Sequence, residues 1–510
     1  MGVRVVIRRG GREKRVAGAI RQLPFTRLIN PYSPIEILSA DQVEAIIDGA
    51  FTILETRGMR FLEARSRDLM AVAGAERLDD LGTMRIDRGL VREKLALVPR
   101  EFTLRARNRD RDLRIGGRNL VFTSVGGPAF VSDLERGRRP GTHAEVCDFL
   151  KLVQSLNIIH QEFGGPFEAL DLPPETRHLD LYLAQMTLLD KNCQAYPLGT
   201  ARTRDCIEMN CIAMGVTREE LARDPAVVAI INTNSPMQLD IAMTEAVVEL
   251  ASSGQAICIT PFTLAGSMSP ATLAGTLAQQ TAEVLAVVTL AQSIQPGAKL
   301  IYGSFASNVD MLSGAPALGT PEYVKAAFAS GQIARRLGMP LRSSNTTSSN
   351  CVDAQAAYES EMSLWGSIMG GANLICHAAG WLENGLTASF EKLIVDAEML
   401  QMFAEVLRPI EVNADQLALE AIAGVDPGGH HFGTAHTLAH YEHAFYNPMI
   451  STRQNFETWQ ETGSLDAAHR ANTLWKRLLA EYQRPPMDPA IEEALVDYVA
   501  RRKQEIAAGS

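Results

Sequence analysis

Aromatic side chains recur at the ends of short apolar runs in a chain that is only 6% aromatic. The face of an aromatic ring attracts a quaternary ammonium group, and each contact stabilises a complex by about 0.5–2 kcal/mol. A neighbouring carboxylate would add to that attraction. We therefore expect a cage for a small organic cation, with ordinary packing of the rings as the alternative. The candidates for this cage are Glu162, Tyr196, Phe262, Tyr302, Trp381 and Phe390, with Phe163 nearby.

A group of histidines between residues 430 and 443 could also carry chemistry. His436, His440 and His443 have the i, i+4, i+7 spacing of one helix face, and such a face could bind a metal ion. The segment is not an HExxH motif, and no cysteine lies nearby to complete a typical zinc site. A metal site, a contact with substrate and a structural or surface role all stay open for this group, which also includes His430 and His431.

Other common catalytic patterns are absent from the sequence. There is no GxSxG elbow, no phosphate-binding loop and no GxGxxG after a strand. Glu162 could pair with Glu383 or Glu391 as two carboxylates, but the sequence does not set the distance between them.

Eight short apolar or β-branched runs recur at spacings of roughly 30 to 44 residues, each followed by a helical pattern, as βα units do. Polar and apolar residues alternate weakly in these runs, which is typical of parallel strands buried on both faces. We predict an α/β fold, a single (β/α)8 TIM barrel with helical extensions at both ends, whose active site lies at the C-terminal ends of the strands. The runs are residues 120–123, 158–163, 192–198, 227–233, 256–262, 300–304, 341–344 and 373–377.

Residue patterns that mark the starts and ends of helices lie between the eight apolar runs. Thr142 and Glu145 form a capping-box pattern, Pro321 stands in a first helical turn, and Gly338 closes the same helix. The predicted organisation is a basic flexible tail (residues 1–20), a helical segment with a short hairpin (21–115), the barrel (116–410) and a helical extension that packs on the barrel (411–510).

Composition excludes several classes of function. The net charge is −10 and the sequence pI about 5.6, so nucleic acid is not an expected partner. No uninterrupted apolar run reaches the 18 residues of a membrane span, and no signal-peptide pattern is present. Seven cysteines without CxxC spacing indicate reduced thiols, so we expect a cytoplasmic protein.

Three motifs carry a resemblance to a known family: residues 353–359 (DAQAAYE), residues 378–391 (AAGWLENGLTASFE, continuing to DAE at 396–398) and residues 428–437 (GGHHFGTAHT). Residues 131–133 (VSD) and 138–142 (RRPGT) add to it. Together they resemble the trimethylamine methyltransferase superfamily, barrel enzymes that demethylate methylamines and betaines onto a corrinoid protein. The similarity covers about residues 20 to 505.

One departure from that family concerns the substrate. The trimethylamine enzymes carry pyrrolysine in the loop that corresponds to residues 343–352 (SSNTTSSNCV), where this chain has ordinary residues. The chain therefore resembles the branch without pyrrolysine, whose members use glycine betaine and related quaternary amines.

The resemblance implies a methyltransferase that moves a methyl group from a quaternary amine to the Co(I) corrinoid of a separate protein, with no corrinoid tightly bound to this chain. No acid is then required, because the leaving group is a neutral tertiary amine, and no base is required, because the Co(I) corrinoid is the nucleophile. We therefore expect no classical catalytic residue and no metal ligand in this chain. Polar side chains would hold the other end of the substrate, a carboxylate in a betaine. The candidates are Asn345, Asn350, Gln355, His377, His431 and His436, and Glu391 is a further substrate-binding candidate.

Two other classes of function stay open at this point. The histidine group would serve a metal-dependent hydrolase or lyase of the same fold, and the cage alone would serve a non-catalytic betaine-binding protein. Large barrels of this type often dimerise, so we also expect a homodimer.

Overall fold

The computed structural model describes residues 20–509, and at its centre eight parallel strands form a nearly closed barrel. All eight predicted strands are present, although most are shorter than the apolar runs that predicted them. The predicted basic tail lies outside the described residues except for Ile20. The strands are β1 (Asn119–Ser124), β2 (Gln161–Glu162), β3 (Asn192–Cys193), β4 (Val228–Ile231), β5 (Ala256–Ile259), β6 (Leu300–Gly303), β7 (Leu341–Ser344) and β8 (Leu374–Ala379).

Each strand pairs with its neighbours along the chain, as a TIM barrel requires. The hydrogen-bonded order runs from β3 through β2, β1, β8, β7, β6 and β5 to β4. A single parallel bridge between Ala195 and Ala229 joins the two ends of this order, and β8 pairs with β1 through Leu374 and Val121. The predicted fold is therefore confirmed.

A helix follows every barrel strand, and the predicted start and stop signals are present. Thr142 and Glu145 form a complete capping box, Thr320 caps a helix that begins at Pro321, and Gly338 ends it in the left-handed conformation at φ 72°. The barrel helices are α1 (His143–Ser155), α2 (Arg177–Leu188), α3 (Gly199–Met214), α4 (Ile241–Ser252), α5 (Leu273–Ile294), α6 (Pro321–Leu337), α7 (Ala354–Gly370) and α8 (Phe390–Val406).

Helix α5 is a core element of the barrel. Among residues 20–509 it alone is long and apolar enough to cross a membrane by length and composition, but 78% of its most apolar window is buried inside the protein. Burial of this kind is typical of a core helix, so α5 is not assigned as a membrane span.

The N-terminal end of the barrel is closed by a hairpin of strands Glu101–Leu104 and Leu113–Gly116. Its side chains Leu104, Leu113 and Ile115 form one buried cluster with inward-facing barrel residues, including Val121, Val228 and Ile301. A packed interior of this kind leaves the opposite end of the barrel as the place for a ligand.

The rest of the N-terminal segment contains three helices and also contributes to a small sheet. Its helices are Ala40–Thr56, Ala64–Val72 and Arg88–Leu95, with a 3₁₀ turn at Arg109–Arg111 and a strand at Leu28–Ile29 that pairs with β1. Strands Met59–Phe61, Glu76–Arg77 and Thr83–Arg85 form a sheet with Gln238–Leu239, which lies in the loop after β4.

Two further small sheets stand on the loops at the mouth of the barrel. One joins strands Trp381–Leu382 and Thr387–Ser389, which follow β8, to the hairpin Phe130–Asp133 and Gly137–Pro140, which follows β1. The motif at residues 378–391 and the two short early motifs of the family resemblance thus meet in one sheet. The other joins Leu264–Ala265, Ser307–Val309 and Pro316–Ala317 from the loops after β5 and β6.

The C-terminal extension begins with an exposed stretch and ends in two long helices that pack on the barrel. Short helices lie at Ala414–Leu417, Leu419–Ala423, Ala435–His440 and Phe456–Glu461. Helix Ala467–Ala480 packs on α8, and helix Pro489–Gly509 packs on α2 and α3, where Tyr498 and Arg502 both donate to Asp205.

Candidate functional site

Five ring side chains follow one another at the C-terminal ends of the strands. The ring centroids of Phe163 and His377 are 4.4 Å apart, and those of His377 and Trp381 are 4.1 Å apart. Trp381 stacks on Phe305 at 5.9 Å, and Phe305 lies 5.1 Å from Phe262. We call these five side chains the aromatic arc. They come from β2, β5, β6 and β8 and the loops that follow them, so they converge on the barrel mouth from four strands.

A bulge in β8 aims His377 into this arc. The pairing of β8 with β1 shifts register between Ile375 and Ala379, and His377 has the left-handed backbone conformation at φ 51°. Its N–H donates to Thr123 Oγ1 at 3.1 Å, which holds the bulge against β1. Strain of this kind costs of order 1–3 kcal/mol and is concentrated at functional sites.

Arg342 is a charged residue inside the barrel wall, only 2% exposed. Its guanidinium carbon lies 4.9 Å from the ring centroid of Phe305, and Nη1 donates to the Ser304 carbonyl at 3.2 Å. Burial, reinforced by the charge of Arg342, lowers the pKa of His377 well below its usual value, so that imidazole is neutral at pH 7. No carboxylate pairs with Arg342 among the described residues, so its planar donors could bind an anionic group of a ligand.

Buried polar atoms without hydrogen-bond partners collect at the ends of β7 and β8. Buried donors and acceptors are ordinarily paired, so such a concentration calls for a ligand or ordered water. Arg342 Nε and Trp381 Nε1 are donors, whereas the others can accept. Among the described residues the atoms in this region are Arg342 Nε, Ser344 Oγ, Asn345 Oδ1, His377 Nδ1 and Trp381 Nε1.

The loop after β8 fixes the position of Trp381. Gly385 has the left-handed backbone conformation at φ 91°. A Cβ atom at this position would lie 2.3 Å from Trp381 Cζ2, so only glycine allows the loop to pack this closely against the indole. Three hydrogen bonds join this loop to the loop after β7, one of them from the Asn384 N–H to the Thr347 carbonyl at 3.2 Å. Ser348 donates to Asn384 Oδ1 at 2.6 Å, and the Glu383 N–H donates to the Ser349 carbonyl at 2.8 Å.

Glu359 holds the loop after β7 in place through its carboxylate. Its Oε2 accepts from Thr347 Oγ1 at 2.6 Å and from the Ser348 N–H at 2.8 Å. Gln355 donates to the other carboxylate oxygen at 2.9 Å, so it supports this anchor, while Asn350 is exposed on the loop. Of the predicted polar residues in this region, Asn345 lies beside the arc, where its amide donates to the Ala378 carbonyl at 3.0 Å.

Glu162 and Tyr196 face away from the aromatic arc. The Glu162 carboxylate accepts from the N–H groups of Gly165 at 2.7 Å and Gly164 at 2.9 Å and also from Gln185 of α2. Burial raises its pKa to about 7, although these hydrogen bonds oppose the rise. Tyr196 lines a separate small cavity that also includes Glu168. The carboxylate of Glu162 therefore holds the loop after β2.

Three further predicted residues lie in the core outside the mouth. The hydroxyl of Tyr302 contacts Gln280 and Thr281 of α5 at 3.0 and 2.9 Å, so this ring points outward from β6. Phe390 packs between Phe149 and Trp475. Glu391 Oε1 accepts from Asn472 and from the indole N–H of Trp475 at 2.8 and 2.9 Å, which anchors the C-terminal extension to α8.

His431 and His436 lie in the segment between the barrel and the two long C-terminal helices. His431 is exposed, and its backbone carbonyl accepts from Thr434. His436 Nε2 lies 3.0 Å from the backbone oxygen of Asp415. These hydrogen bonds remain within the segment, so the structure does not bring either imidazole into the aromatic arc.

Sequence reasoning missed Arg342 and Phe305. The signal for Arg342 was present, because a charged residue within the buried strand Leu341–Ser344 needs an internal reason. Phe305 lies two residues beyond the end of β6 and gives no comparable signal by itself.

The chain is similar over most of its length to known methyltransferases. The family model for trimethylamine methyltransferase (MTTB) matches residues 6–507. Glycine betaine methyltransferase of Desulfitobacterium hafniense (strain Y51) is 36% identical over 476 residues, which are 92% of this chain and 98% of that protein. Trimethylamine methyltransferase MttB2 of Methanosarcina mazei is 27% identical over 485 residues, 92% of this chain and 96% of that protein. The crystal structure of Methanosarcina barkeri monomethylamine methyltransferase (MtmB) shares the fold, with a TM-score of 0.53 at 10% identity over 89% of this chain and 90% of that chain.

Fold and site together define a TIM-barrel enzyme whose mouth is lined by aromatic side chains. The match over nearly the whole chain shows that this protein belongs to the trimethylamine methyltransferase family. It is therefore a methyltransferase, as the sequence motifs predicted, rather than a hydrolase, a lyase or a non-catalytic binding protein.

Proposed function

We propose that this methyltransferase transfers a methyl group from glycine betaine, or a related betaine, to the Co(I) corrinoid of a separate protein. The observation that carries the proposal is the buried Arg342 beside the aromatic arc. A betaine has a quaternary ammonium that suits aromatic faces and a carboxylate that suits a guanidinium. The similarity to a glycine betaine methyltransferase supports the same substrate class.

The two ends of the substrate have a defined order in this arrangement. Arg342 belongs to β7 itself, whereas Trp381 and Phe305 lie beyond the ends of their strands. The carboxylate would bind Arg342 within the barrel, with Trp381 Nε1 as a further donor. The trimethylammonium group would then lie among the rings, with a methyl group directed toward the mouth.

The residues of this chain need not supply an acid or a base. The C–N bond breaks with its electron pair on nitrogen, and the methyl group forms a bond to the acceptor, so the leaving amine is neutral without a proton. The nucleophile would be the Co(I) corrinoid held by the partner protein. The aromatic arc would exclude water and hold the methyl group in line with the acceptor, which is the part of the barrier that binding energy can lower.

Exposed apolar side chains on the mouth loops support docking of a partner protein. Met311 and Leu312, in the loop after β6, are 76% and 98% exposed. Leu134 in the hairpin after β1 and Leu386 in the loop after β8 are also exposed. Apolar residues around a mouth are typical of a protein interface, and a corrinoid protein must approach this face.

Two further parts of the proposal concern the setting of the enzyme. Every cysteine in the described residues is free, which supports a reducing compartment such as the cytoplasm. Exposed apolar residues of the segment after the barrel, among them Ile410, Phe432 and Phe445, support a homodimer.

Thermal-shift binding tests the substrate class directly. A ligand that binds only the folded chain raises its unfolding midpoint by mass action. We expect a rise with glycine betaine and none with trimethylamine, with proline betaine, carnitine and choline as the remaining probes. The ligand found should then convert cob(I)alamin on a corrinoid protein to methylcobalamin, read by its absorbance. No shift with any betaine would reject the proposed substrate class.

Trp381→Ala is expected to raise the Kd for the quaternary amine more than about tenfold, because it removes one desolvated cation–π contact of about 2 kcal/mol. Isothermal titration calorimetry measures this change. The matched control is Trp365→Ala on α7, an indole at the protein surface that packs on Phe403 with ring centroids 4.9 Å apart. An unchanged Kd in Trp381→Ala would remove Trp381 from the cage.

A further inference from the structure

One carboxylate and two imidazoles meet in the segment between the barrel and the long C-terminal helices. His436 and His440 lie one turn apart on helix Ala435–His440, with ring centroids 4.4 Å apart. Asp415 approaches from helix Ala414–Leu417, and its Oδ2 lies 3.5 Å from His440 Nε2. One ligand atom from each residue lies within 4.8 Å of the other two.

We propose that Asp415, His436 and His440 bind one divalent transition-metal ion of the Zn²⁺ class. Imidazole nitrogen with carboxylate oxygen is a donor set that Zn²⁺ and its neighbours in the first transition row prefer. Mg²⁺ and Ca²⁺ prefer oxygen ligands throughout, so they are not expected here. Water would complete the coordination, because all three side chains are at least partly open to solvent.

The surroundings of His436 fit a metal ligand. A ligating histidine ordinarily donates its second ring N–H to a carbonyl or carboxylate, which fixes its tautomer and orientation. The backbone oxygen of Asp415 lies 3.0 Å from His436 Nε2 and can be that acceptor, leaving Nδ1 with its lone pair. Asp415 would then contribute to the site through both its side chain and its backbone.

The ion would have a structural role, as a cross-link between two short helices. The helices it joins have four and six residues, too short to be stable alone in water. The connection between them is mostly exposed and has few buried side chains to hold it, and Phe432 within it is 82% exposed. A bond that closes this loop would restrict its unfolded states and order the segment.

This site is separate from the aromatic arc, so its test does not depend on methyl transfer. Protein stripped with a chelator and desalted is titrated with ZnCl₂, with MgCl₂ as the comparison. We expect one Zn²⁺ per chain, and at least about tenfold weaker binding in Asp415→Ala and in His440→Ala. Limited proteolysis gives a second readout, in which Zn²⁺ slows cleavage between residues 418 and 434.

Two control variants identify the ligands. His443→Ala removes a histidine of the same segment whose ring lies 6.2 Å from that of His440, and it should bind Zn²⁺ like the unaltered protein. Cys351→Ser removes an exposed thiol that could bind the ion elsewhere. If His440→Ala binds Zn²⁺ as tightly as the unaltered protein, or if the unaltered protein takes up no stoichiometric Zn²⁺, the site does not exist.

Discussion

Arg342→Gln is expected to weaken glycine betaine binding at least about hundredfold and to remove the preference for betaine over choline. Choline carries the same trimethylammonium group but has no carboxylate, so it should bind both proteins alike. Each charge-assisted hydrogen bond contributes about 1.5–3 kcal/mol, and loss of a pair corresponds to this change in Kd. The unpartnered Nε and the low exposure of Arg342 are the physical basis.

Calorimetric titration of both ligands into each protein measures the effect. Arg342→Lys keeps the charge but loses the planar pair of donors, and we expect an intermediate Kd for betaine. Arg335→Gln is the matched control, because its guanidinium on α6 donates to the Gly370 carbonyl at 2.8 Å and lies outside the mouth. A variant at Arg342 that retains the betaine preference would show that the carboxylate binds elsewhere.

The barrel could be predicted because its strands are buried on both faces. Such strands appear in the sequence as continuous apolar runs, and a run such as Ala256–Ile259 is recognisable without its neighbours. The rule that barrel sites lie at the C-terminal ends of strands then selected His377 and Trp381, which do meet in the structure.

The direction of individual side chains could not be predicted in the same way. Successive residues of a strand point to opposite faces, so an error of one position moves a side chain from the mouth to the outer layer. Tyr302 illustrates this, since it points from β6 toward α5, whereas Ile301 faces the barrel interior. The bulge that aims His377 is a second case, because it interrupts the alternation of β8.

The family motif after β8 contains side chains that hold the architecture as well as side chains at the mouth. Glu391 anchors helix Ala467–Ala480, and Glu398 accepts from the backbone N–H of Met449 at 2.6 Å, where the chain returns to the barrel. A carboxylate in a family motif therefore indicates substrate contact only when it lacks hydrogen-bond partners within the protein that would explain its presence. Arg342 differs in both respects. It lies outside the quoted motifs, and its buried Nε has no hydrogen-bond partner among the described residues.

Asp396→Ala is expected to lower the free energy of unfolding by about 3–5 kcal/mol, because it leaves the charge of Lys392 buried without its partner. The two side chains are 0% and 1% exposed and form an ion pair on α8. Asp396 Oδ2 also accepts from the Gly380 N–H at 2.8 Å, next to Trp381, so the variant should disturb the mouth as well. Urea denaturation under matched conditions measures the loss.

A double variant distinguishes the effect of an unpaired buried charge on stability from the effect of lost packing volume. Lys392→Met with Asp396→Leu replaces the pair by apolar side chains of similar size, and such exchanges are often close to neutral. The unpaired Gly380 N–H would still cost about 1–3 kcal/mol, so the double variant should lie between Asp396→Ala and the unaltered protein. Glu405→Ala breaks a more exposed pair with Arg408 and should change stability by less than about 1 kcal/mol. If the double variant is no more stable than Asp396→Ala, the lost stability comes from packing and the Gly380 hydrogen bond rather than from an isolated charge.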